Sequence, residues 1–277
     1  MVIHEIYREM CQLMAQNPNS DAAFEANQLI EFVLGKKRIE LFAADIADSD
    51  AEKLLTYAQK RKEGYPLQYI LGRWQFFDMD LYVGEGVLIP RQDTETVCET
   101  AFEVIGKLEN PKVMDLCSGS GCIALAVKRF CPEAAVTAVE KSDAAFSYLE
   151  KNIAHTQLSV TAVKADIFDY DKVVEENSAD VIISNPPYIH PDVKQTIQTE
   201  VSFEPEMALF AEEEGLMFYR YISKNYRKVL KDGGYLVFEY GFDQQEAVRN
   251  ILTEDGYTII REITDLGGNH RGVVAKK

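Results

Sequence analysis

The chain has 277 residues, 47% of them hydrophobic, and its 45 acidic residues outnumber its 29 basic ones to give a formal net charge of −16. This length accommodates one large domain and a small one, and the hydrophobic content excludes a globally disordered chain. Nucleic-acid binding draws much of its affinity from Lys and Arg on phosphates, so the charge disfavours a general DNA-binding or RNA-binding protein. A local basic patch, or a charge that serves solubility alone, stays compatible with this composition.

The five cysteines are odd in number, irregularly spaced and without a Cys-x-x-Cys pair: Cys11, Cys98, Cys117, Cys122 and Cys131. They therefore indicate neither a disulfide framework nor a zinc site, and we expect no metal. The first residues lack the basic region and apolar run of a signal peptide, and no apolar stretch approaches the length of a membrane span. We expect a soluble, cytoplasmic protein.

Residues 1–72 are expected to form a small N-terminal helical domain. Apolar residues at helical spacing predict its first helix: Ile3, Ile6, Tyr7, Met10, Leu13 and Met14. Ser20 and Asp21 predict the start of a second helix and Gly35 its end. Ser49 and Glu52 form a capping-box pattern, which predicts the start of a third helix. Short amphipathic helices of this kind suit a small bundle.

The sequence period changes after Pro66 and predicts a β-hairpin over residues 74–90. Apolar and polar residues alternate over 79–83, Gly84-Glu85-Gly86 predicts a turn, and residues 87–89 predict a second strand. We therefore expect residues 73–92 to be a hairpin that links two domains.

From Pro111 onward, predicted strands alternate with predicted helices. The predicted strands are 112–117, 135–140, 160–164, 180–184, 235–240, 257–263 and 272–275. The predicted helices between them are 122–130, 143–155, 215–231 and 244–255, and a further helix precedes Pro111. Strands separated by helices imply a doubly wound, mostly parallel seven-stranded sheet over residues 93–277, an α/β fold in which ligands bind beyond the carboxyl ends of the strands.

A glycine-rich turn follows the first strand of this sheet. Its candidate ligand-binding residues are Cys117, Ser118, Gly119, Ser120 and Gly121. Glycines let the backbone turn tightly and approach a ligand, and the spacing fits the general dinucleotide fingerprint, although a turn without a ligand would contain glycines too.

Glu140 ends the second strand, roughly 20 residues after the glycines, where an acid binds ribose hydroxyls in doubly wound folds. Ribose occurs both in nicotinamide dinucleotides and in S-adenosylmethionine, so these signals do not choose between the two. Asp166 and Phe168 could bind the edge and face of an adenine. The alternatives are that Asp166 is a helix cap and that Phe168 is a core residue.

The loop Asn185, Pro186, Pro187 and Tyr188 follows the fourth strand. Prolines donate no N–H, so this rigid loop offers chiefly acceptors, the Asn185 side chain and the Pro186 carbonyl. Two convergent acceptors suit an NH2 group, and Tyr188 could stack on the planar group that carries it. We therefore predict methylation of a planar NH2 nitrogen, with positioning and electrostatics doing most of the catalysis, against the alternative of a structural Pro-Pro turn.

The chain resembles the release factor glutamine methyltransferase family over nearly its whole length. The segments that carry the resemblance are 72–76 (GRWQF), 89–95 (IPRQDTE), the glycine turn, Glu140, Asp166, the Asn185–Ile189 loop, 203–205 (FEP) and 265–269 (DLGGN). The resemblance implies a Rossmann-like methyltransferase sheet, with a helical domain and a hairpin, that uses S-adenosyl-L-methionine and releases S-adenosyl-L-homocysteine.

The same resemblance implies roles for the candidate residues. Residues 117–121, Glu140, Asp166 and Phe168 would hold S-adenosylmethionine. Asn185–Tyr188 would bind the substrate glutamine, with Asn185 also touching the cofactor. The substrate would be the glutamine side-chain N5 of the Gly-Gly-Gln motif in peptide chain release factors, and the enzyme a monomer.

Two residues depart from the family pattern, because Cys117 stands where the family usually has Gly and Gln92 where it usually has Pro. Cys117 puts the close backbone approach there in doubt, and Gln92 the rigidity of its loop. Arg91, Thr94 and Glu95 are expected to shape the site without an assigned role; a helix N-terminus at Asp93 or Thr94 is the simpler explanation.

Four alternatives stay open on the sequence. They are a methyltransferase acting on a nucleic-acid base, one acting on a ribosomal-protein glutamine, a binding module with a degraded site, and a nicotinamide oxidoreductase. The charge and the absence of a basic run weaken the first, and the intact Glu140 and Asn185 weaken the third. No acid or base suited to hydride transfer is recognisable for the fourth. We expect the helical domain and hairpin to recognise the substrate, because a fold shared by many enzymes does not encode specificity.

Overall fold

The computed structural model describes residues 1–41, 44–265 and 267–277. Its chain divides into two compact units, one of Met1–Arg73 with Ile197–Phe203 and the other of Trp74–Thr196 with Glu204–Lys277. Among the described residues, the helices are all too short or too polar to cross a lipid bilayer. Position 266, within the segment 265–269 that contributes to the family resemblance, lies outside the described residues.

The first unit is helical. Its α-helices are α1 (Ile3–Met14), α2 (Ala22–Leu34), α3 (Asp48–Lys62) and α4 (Leu67–Leu71). Four residues of the apolar face predicted for α1 are buried, Ile3, Ile6, Met10 and Met14, whereas Tyr7 and Leu13 are partly exposed. Asp21 caps α2 by accepting a hydrogen bond from the Phe24 N–H, and Gly35 ends it in the left-handed conformation. Both predicted ends of α2 are therefore confirmed.

The capping box predicted at Ser49 is wrong. Helix α3 begins at Asp48, and its N-cap residue is Ala47, which makes no side-chain cap bond. Ser49 therefore lies inside the first turn. Asp48 and Asp50 lie in the same turn, where their carboxylates interact favourably with the positive end of the helix dipole.

A buried cluster of charges attaches the segment Ile197–Phe203 to the helices of the first unit. The Arg61 guanidinium of α3 donates to both carboxylate oxygens of Glu25, at 2.9 and 2.8 Å, and Arg61 is only 3% exposed. Arg61 Nη2 also lies 3.5 Å from Glu200 Oε1. Asn17 Nδ2 donates to Glu200 Oε1 at 2.7 Å and to the Arg61 carbonyl at 2.9 Å. Residues far apart in sequence thus share one network of hydrogen bonds.

The hairpin of the second unit differs from the predicted one. Strand β1 (Arg73–Phe76) pairs with β2 (Met79–Tyr82), and Phe77 adopts a φ of 52° in the turn between them. Residues 87–89 form no strand. The Asn152 side chain bonds both the N–H and the C=O of Tyr82, and so occupies backbone groups of β2 that the predicted partner would need. Gly84 serves close packing, because a Cβ there would lie 2.1 Å from the Tyr148 hydroxyl.

The main sheet has seven strands, which confirms the predicted fold class. They are β3 (Lys112–Leu116), β4 (Ala135–Glu140), β5 (Val160–Lys164), β6 (Ala179–Ser184), β7 (Leu230–Glu239), β8 (Thr258–Thr264) and β9 (His270–Lys276). Their spatial order is β5-β4-β3-β6-β7-β9-β8. The strands from β5 to β7 are parallel, and β9 runs antiparallel to both of its neighbours.

Helices cover both faces of this sheet. They are α5 (Gln92–Ile105), α6 (Cys122–Phe130), α7 (Asp143–Thr156), α8 (Ile167–Tyr170), α9 (Glu206–Leu209), α10 (Met217–Asn225) and α11 (Gln245–Glu254). Apolar residues of α5, α6 and α7 form one buried cluster with one face of the strands. Residues of α8, α10 and α11 form a second cluster with the other face. The side chains of each strand therefore alternate between two cores, as expected for a doubly wound sheet.

The helix predicted over residues 215–231 is too long. Helix α10 ends at Asn225, a 3-10 turn spans Tyr226–Lys228, and β7 already begins at Leu230. Tyr226 and Leu230 are fully buried in the same core as α10. The apolar spacing thus continues beyond the helix, so periodicity could not locate its end.

The chain reverses direction across the sheet between β3 and β6. From β3 it proceeds outward to β4 and β5, then returns to pair β6 with the opposite edge of β3. The connections after β3 and β6 consequently depart to different sides and leave a crevice at the carboxyl ends of these strands. The glycine turn and the Asn185–Tyr188 loop begin at this crevice.

We expect Arg61→Ala to lower the free energy of unfolding by about 3–5 kcal/mol, because it leaves the buried Glu25 carboxylate without its bidentate partner. Urea denaturation followed by circular dichroism measures the change. The matched control is Arg129→Ala, which removes an ion pair with Asp78 in which both side chains are about half exposed. We expect a much smaller effect there. Equal losses in the two variants would contradict the structural role of the buried cluster.

Candidate active site

A cavity of about 400 Å³ lies in the second unit at the carboxyl ends of the central strands. Most of the predicted site residues line it: Cys117, Ser118, Gly119, Ser120, Glu140, Asp166, Phe168, Asn185 and Pro187. Gly121, Pro186 and Tyr188 do not line it. The structure thus brings residues from both halves of the sheet to one cavity, but three of the predicted site residues are not part of its lining.

The glycines of the turn after β3 have different structural roles. Gly119 has a φ of 55°, and a Cβ there would meet nothing within 4 Å. Gly121 has a φ of 82° at the start of α6, where a Cβ would lie 2.4 Å from Leu149 of α7. Gly121 is therefore required by helix packing, whereas Gly119 keeps the side of the turn that lines the cavity open.

Cys117 adopts the left-handed conformation that a glycine would take without strain. Its φ is 61°, and it is one of the non-glycine residues with positive φ in the described chain. A side chain at such a φ costs of order 1–2 kcal/mol. The departure from the family pattern at Cys117 thus leaves the backbone in the geometry that the turn needs.

The two serine hydroxyls of the same turn bind groups of the protein. Ser118 Oγ donates to the Asp115 carbonyl at 2.8 Å, which closes the turn on itself. Ser120 Oγ is buried beside the Cys122 thiol, and their hydrogen bond lowers the pKa of that thiol, although burial raises it more. These hydroxyls therefore hold the shape of the turn, and both residues line the cavity.

Glu140 bridges the end of β4 to the glycine turn. Its carboxylate accepts hydrogen bonds from the Gly119 N–H at 2.8 Å and the Ser142 N–H at 2.6 Å. Burial raises the pKa of Glu140 above its ordinary value, while these backbone donors lower it. Two carboxylate oxygens can accept more than two hydrogen bonds, so Glu140 retains capacity for the hydroxyl groups of a ribose.

Asp166 lines the cavity and is also a helix cap. It accepts the Phe168 N–H at 3.0 Å at the start of α8, and pairs with Lys141 at 2.8 Å. Partial burial raises the pKa of Asp166, but the Lys141 hydrogen bond and charge outweigh it, so the net shift is downward. Phe168 is half-buried against Tyr221, with ring centroids 4.5 Å apart. The cap predicted as an alternative for Asp166 is therefore present in a residue that reaches the cavity.

Three contacts fix the loop after β6. Ser184 Oγ donates to the Leu116 carbonyl at 2.7 Å, which ties the end of β6 to the end of β3. Gln244 Nε2 donates to the Tyr188 carbonyl at 2.9 Å. Ile189 forms a parallel bridge with Phe210. Because these contacts already hold the loop in place, its polar groups need no reorganisation when a substrate reacts.

The side chains of this loop point to different surroundings. Asn185 is half-buried, and its Nδ2 donates to Thr94 Oγ1 at 3.4 Å, which leaves the amide oxygen for another donor. Burial raises the pKa of the Tyr188 phenol above its ordinary value; the nearby Glu239 charge raises it further, and Arg271 lowers it. Stacking of Tyr188 on a substrate stays a prediction.

Two segments that carry the family resemblance meet beside the cavity. Glu204 accepts a hydrogen bond from the Ile89 N–H at 2.9 Å and another from Arg91 Nη2. Glu204 is 4% exposed, and burial raises its pKa while Arg91 lowers it. Helix α5 has Arg91 as its N-cap, so its first turn lies where Asp93 and Thr94 were expected to mark a helix start. Arg91 thus acquires a structural role that the sequence did not assign.

Sequence reasoning missed the apolar wall of the cavity. Its members lie in the segments before α5 and after the Asn185–Tyr188 loop: Leu88, Ile89, Met207, Phe210, Met217 and Phe218. Met207 is 51% exposed, which is unusual for so large an apolar side chain. Leu88 and Ile89 fell in a predicted strand and Met217 and Phe218 in a predicted helix, and periodicity does not tell which apolar residues line a cavity.

The donor set fits S-adenosylmethionine. Glu140 offers acceptors for ribose hydroxyls, and the open side of Gly119 leaves room for a ligand beside them. Phe168 and Asp166 lie together on one side of the cavity, where they can contact the face and edge of an adenine. Asn185 lines the same cavity after β6, which lies on the other side of β3 from β4 and β5.

Sequence comparisons support this assignment. The model of the methyltransferase small domain matches residues 98–237, and that of the PrmC N-terminal domain matches residues 5–72. A release factor glutamine methyltransferase of Fusobacterium nucleatum is 34% identical, with 99% of this chain and 78% of that protein covered. One from Thermodesulfovibrio yellowstonii is 35% identical, with 91% and 92% covered.

Among solved structures, a methyltransferase from Pyrococcus furiosus aligns with a TM-score of 0.54 at 19% identity, over 73% of this chain and 90% of that one. This likeness concerns the fold alone. The sequence identity over nearly the full length, together with both matched domains, carries the assignment. The chain belongs to the release factor glutamine methyltransferase family.

Proposed function

We propose that the enzyme transfers the methyl group of S-adenosyl-L-methionine to the side-chain N5 of the glutamine in the Gly-Gly-Gln motif of peptide chain release factors. As a member of its family the chain is a glutamine methyltransferase, and the identity of the protein substrate and of the modified motif is the proposal. The observation that carries it is the presence of Asn185 in the same cavity as the glycine turn and Glu140.

The chemistry follows from the poor nucleophilicity of an amide nitrogen, whose lone pair is delocalised into the carbonyl. Bound S-adenosylmethionine supplies an electrophilic methyl group on a sulfonium. Asn185 Oδ1 can accept one N–H of the substrate amide, and the Pro186 carbonyl can accept the other. Acceptance of both hydrogens holds the nitrogen lone pair toward the methyl donor and stabilises the positive charge that develops on nitrogen.

Loss of a proton from nitrogen completes the reaction. A methylated amide nitrogen that still carries both hydrogens is strongly acidic, so a loop carbonyl or water can accept the proton. Three carboxylates line the cavity, and two of them, Glu140 and Asp166, already bind backbone N–H groups or Lys141; the third is Glu212. The residues of the loop therefore orient the nucleophile, and no strong base is required.

The charges around the cavity favour a protein substrate over a nucleic acid. Among the described lining residues, the cations are Arg91 and Lys141, and each is paired with a carboxylate. The acids Glu140, Asp166 and Glu212 also line it. Cations that are already neutralised attract phosphates weakly, and the net charge of −16 acts in the same direction.

We expect Asn185→Ala to lower kcat by about 100-fold to 1000-fold, because it removes an oriented acceptor of the reacting NH2 group. Affinity for S-adenosylmethionine, measured by calorimetry, should stay largely intact. Asn225→Ala is the matched control, since that amide lies in α10 and donates to the Tyr221 carbonyl. Unchanged turnover in Asn185→Ala would contradict the role of the loop.

The substrate is tested by incubating the enzyme with labelled S-adenosylmethionine and, in separate reactions, purified release factors, ribosomal proteins and DNA. We expect label in release factors, and mass spectrometry should place the methyl on the Gly-Gly-Gln glutamine. Label on a ribosomal-protein glutamine would overturn the choice of substrate while leaving the chemistry intact. Label on a base would overturn both.

We also expect the helical unit to recognise the release factor, because the sheet and its cavity are common to many methyltransferases. The test is a chimera in which both parts of this unit, residues 1–73 and 197–203, come from an unrelated helical domain. Both parts are replaced together because Glu200 pairs with Arg61 and Asn17, so replacement of one part alone would leave buried polar groups without partners. We expect S-adenosylmethionine binding to persist and release factor methylation to fall by more than about 10-fold. A chimera with full release factor activity would refute this role.

A further inference from the structure

The Asn185 side chain works only in one of its two amide orientations. With the oxygen toward the substrate, it accepts an N–H of the glutamine amide; with the NH2 group there, it presents donors to donors. The proposed reaction therefore requires a structural feature that distinguishes the two ends of the Asn185 amide. The feature must lie on the side of the amide away from the substrate.

Thr94 contacts the nitrogen end of the Asn185 amide. Its Oγ1 lies 3.4 Å from Asn185 Nδ2, and Thr94 is 2% exposed in the first turn of α5. A hydroxyl can donate or accept, so Thr94 taken alone would stabilise either orientation of the amide. A further neighbour must determine which way the hydroxyl proton points.

Glu239 is that neighbour. It ends β7, and the pairing of Ser184 with Phe238 places Asn185 and Glu239 side by side at the ends of β6 and β7. Side chains alternate along a strand, so both residues point to the face of the sheet that α5 covers. Glu239 is 3% exposed, and the Thr94 hydroxyl stabilises its charged form by hydrogen bonding.

We propose that Thr94 and Glu239 are positioning residues that set the orientation of the Asn185 amide. An ionised carboxylate only accepts hydrogen bonds, so the Thr94 proton points to Glu239. The Thr94 oxygen then accepts from Asn185 Nδ2, and Asn185 Oδ1 is turned toward the substrate. This inference rests on the proposed function for its consequence in catalysis, but the orientation itself does not depend on the substrate.

The charge of Glu239 is sensitive to pH near neutrality. Burial raises its pKa to about 7, against the lowering effect of the Thr94 hydrogen bond. Charged and titratable groups of the neighbouring elements interact with it: Arg91, Asp93 and Cys98 at α5, Cys122 on α6, Tyr188 after β6, Tyr219 on α10 and Arg271 on β9. Asp93 and Arg271 are themselves 3.1 Å apart and paired.

Protonation of Glu239 would remove the preference for one orientation of the Asn185 amide. The neutral acid can donate to Thr94, which frees the hydroxyl proton to point at Asn185 and stabilise the reversed amide. Because the ionised form is the productive one, activity should rise as the pH increases through about 7 and fall as the pH decreases. Glu239 Oε2 has no hydrogen-bond partner among the described residues, so no further donor holds the carboxylate in its ionised form.

The first test compares substitutions at Thr94. Thr94→Val keeps the shape and removes the hydroxyl, and we expect kcat to fall by about 10-fold to 100-fold with KM and cofactor affinity nearly unchanged. Thr94→Ser keeps the hydroxyl and should restore kcat to within about 3-fold of wild type. Thr100→Val is the matched control, since Thr100 is a buried threonine of the same helix whose hydroxyl donates to the Thr96 carbonyl.

The second test is the pH profile of kcat in Glu239→Gln. A glutamine does not titrate, so the step near pH 7 in the wild type should disappear. A profile that keeps the step, or a Thr94→Val variant with wild-type kcat and unchanged melting temperature, would overturn the proposal. Loss of kcat in Thr94→Ser equal to that in Thr94→Val would do so as well.

A third measurement needs no substrate and separates this inference from the proposed function. In nitrogen-15-labelled protein, the side-chain NH2 resonances of Asn185, assigned through Asn185→Ala, should shift as the pH passes through about 7. The shift should vanish in Glu239→Gln and in Thr94→Val. Resonances that titrate identically in the wild type, Glu239→Gln and Thr94→Val would overturn the proposed role of Thr94 and Glu239, even if release factors are methylated. If the resonances behave as expected but no release factor glutamine is methylated, the proposed orientation of the Asn185 amide is supported and the proposed function fails.

Discussion

The pairing of β3 with β6 is the constraint on which the site depends. Leu116 and Ser184 lie side by side at the ends of these strands, and Ser184 Oγ donates to the Leu116 carbonyl. Parallel strands end at the same edge of a sheet, so the glycine turn and the Asn185 loop emerge as neighbours. If this register slipped by one residue, the side chains of β6 would change face and Asn185 would leave the cavity.

Buried carboxylates then secure the parts that the sheet alone does not hold. Glu140 binds the glycine turn, Glu204 joins the segment before α5 to the segment after the Asn185–Tyr188 loop, and Glu239 accepts a hydrogen bond from Thr94. Burial of a carboxylate is unfavourable unless hydrogen bonds compensate it. Each of these carboxylates is buried where a polar contact determines the position of a loop. The free energy gained by the apolar cores of the sheet offsets the unfavourable burial.

Much of the fold could be predicted because the strands and helices after Pro111 have distinct periods. The bounds of α6, β4 and β5 agree with the predicted ones residue for residue. The errors occurred where a local signal competed with distant packing. Ser49 has the pattern of a cap but lies inside a helix, and Gly84 resembles a hairpin turn but is required by the proximity of Tyr148. A short window of sequence shows neither the true start of α3 nor the contact between Gly84 and Tyr148.

The sequence by itself determined the chemistry: a glycine turn, an acid after the second strand and an acceptor-rich proline loop can be recognised from residue types at short spacing. Only the tertiary structure decided which residues distant in the chain come into contact around those motifs and in the helical unit. Thr94 and Glu239 are far apart in the chain, as are Arg91 and Glu204, and Arg61 and Glu200. The physical reason is that hydrogen bonds and burial depend on separation in space, whereas periodicity and turn propensity depend on separation along the chain.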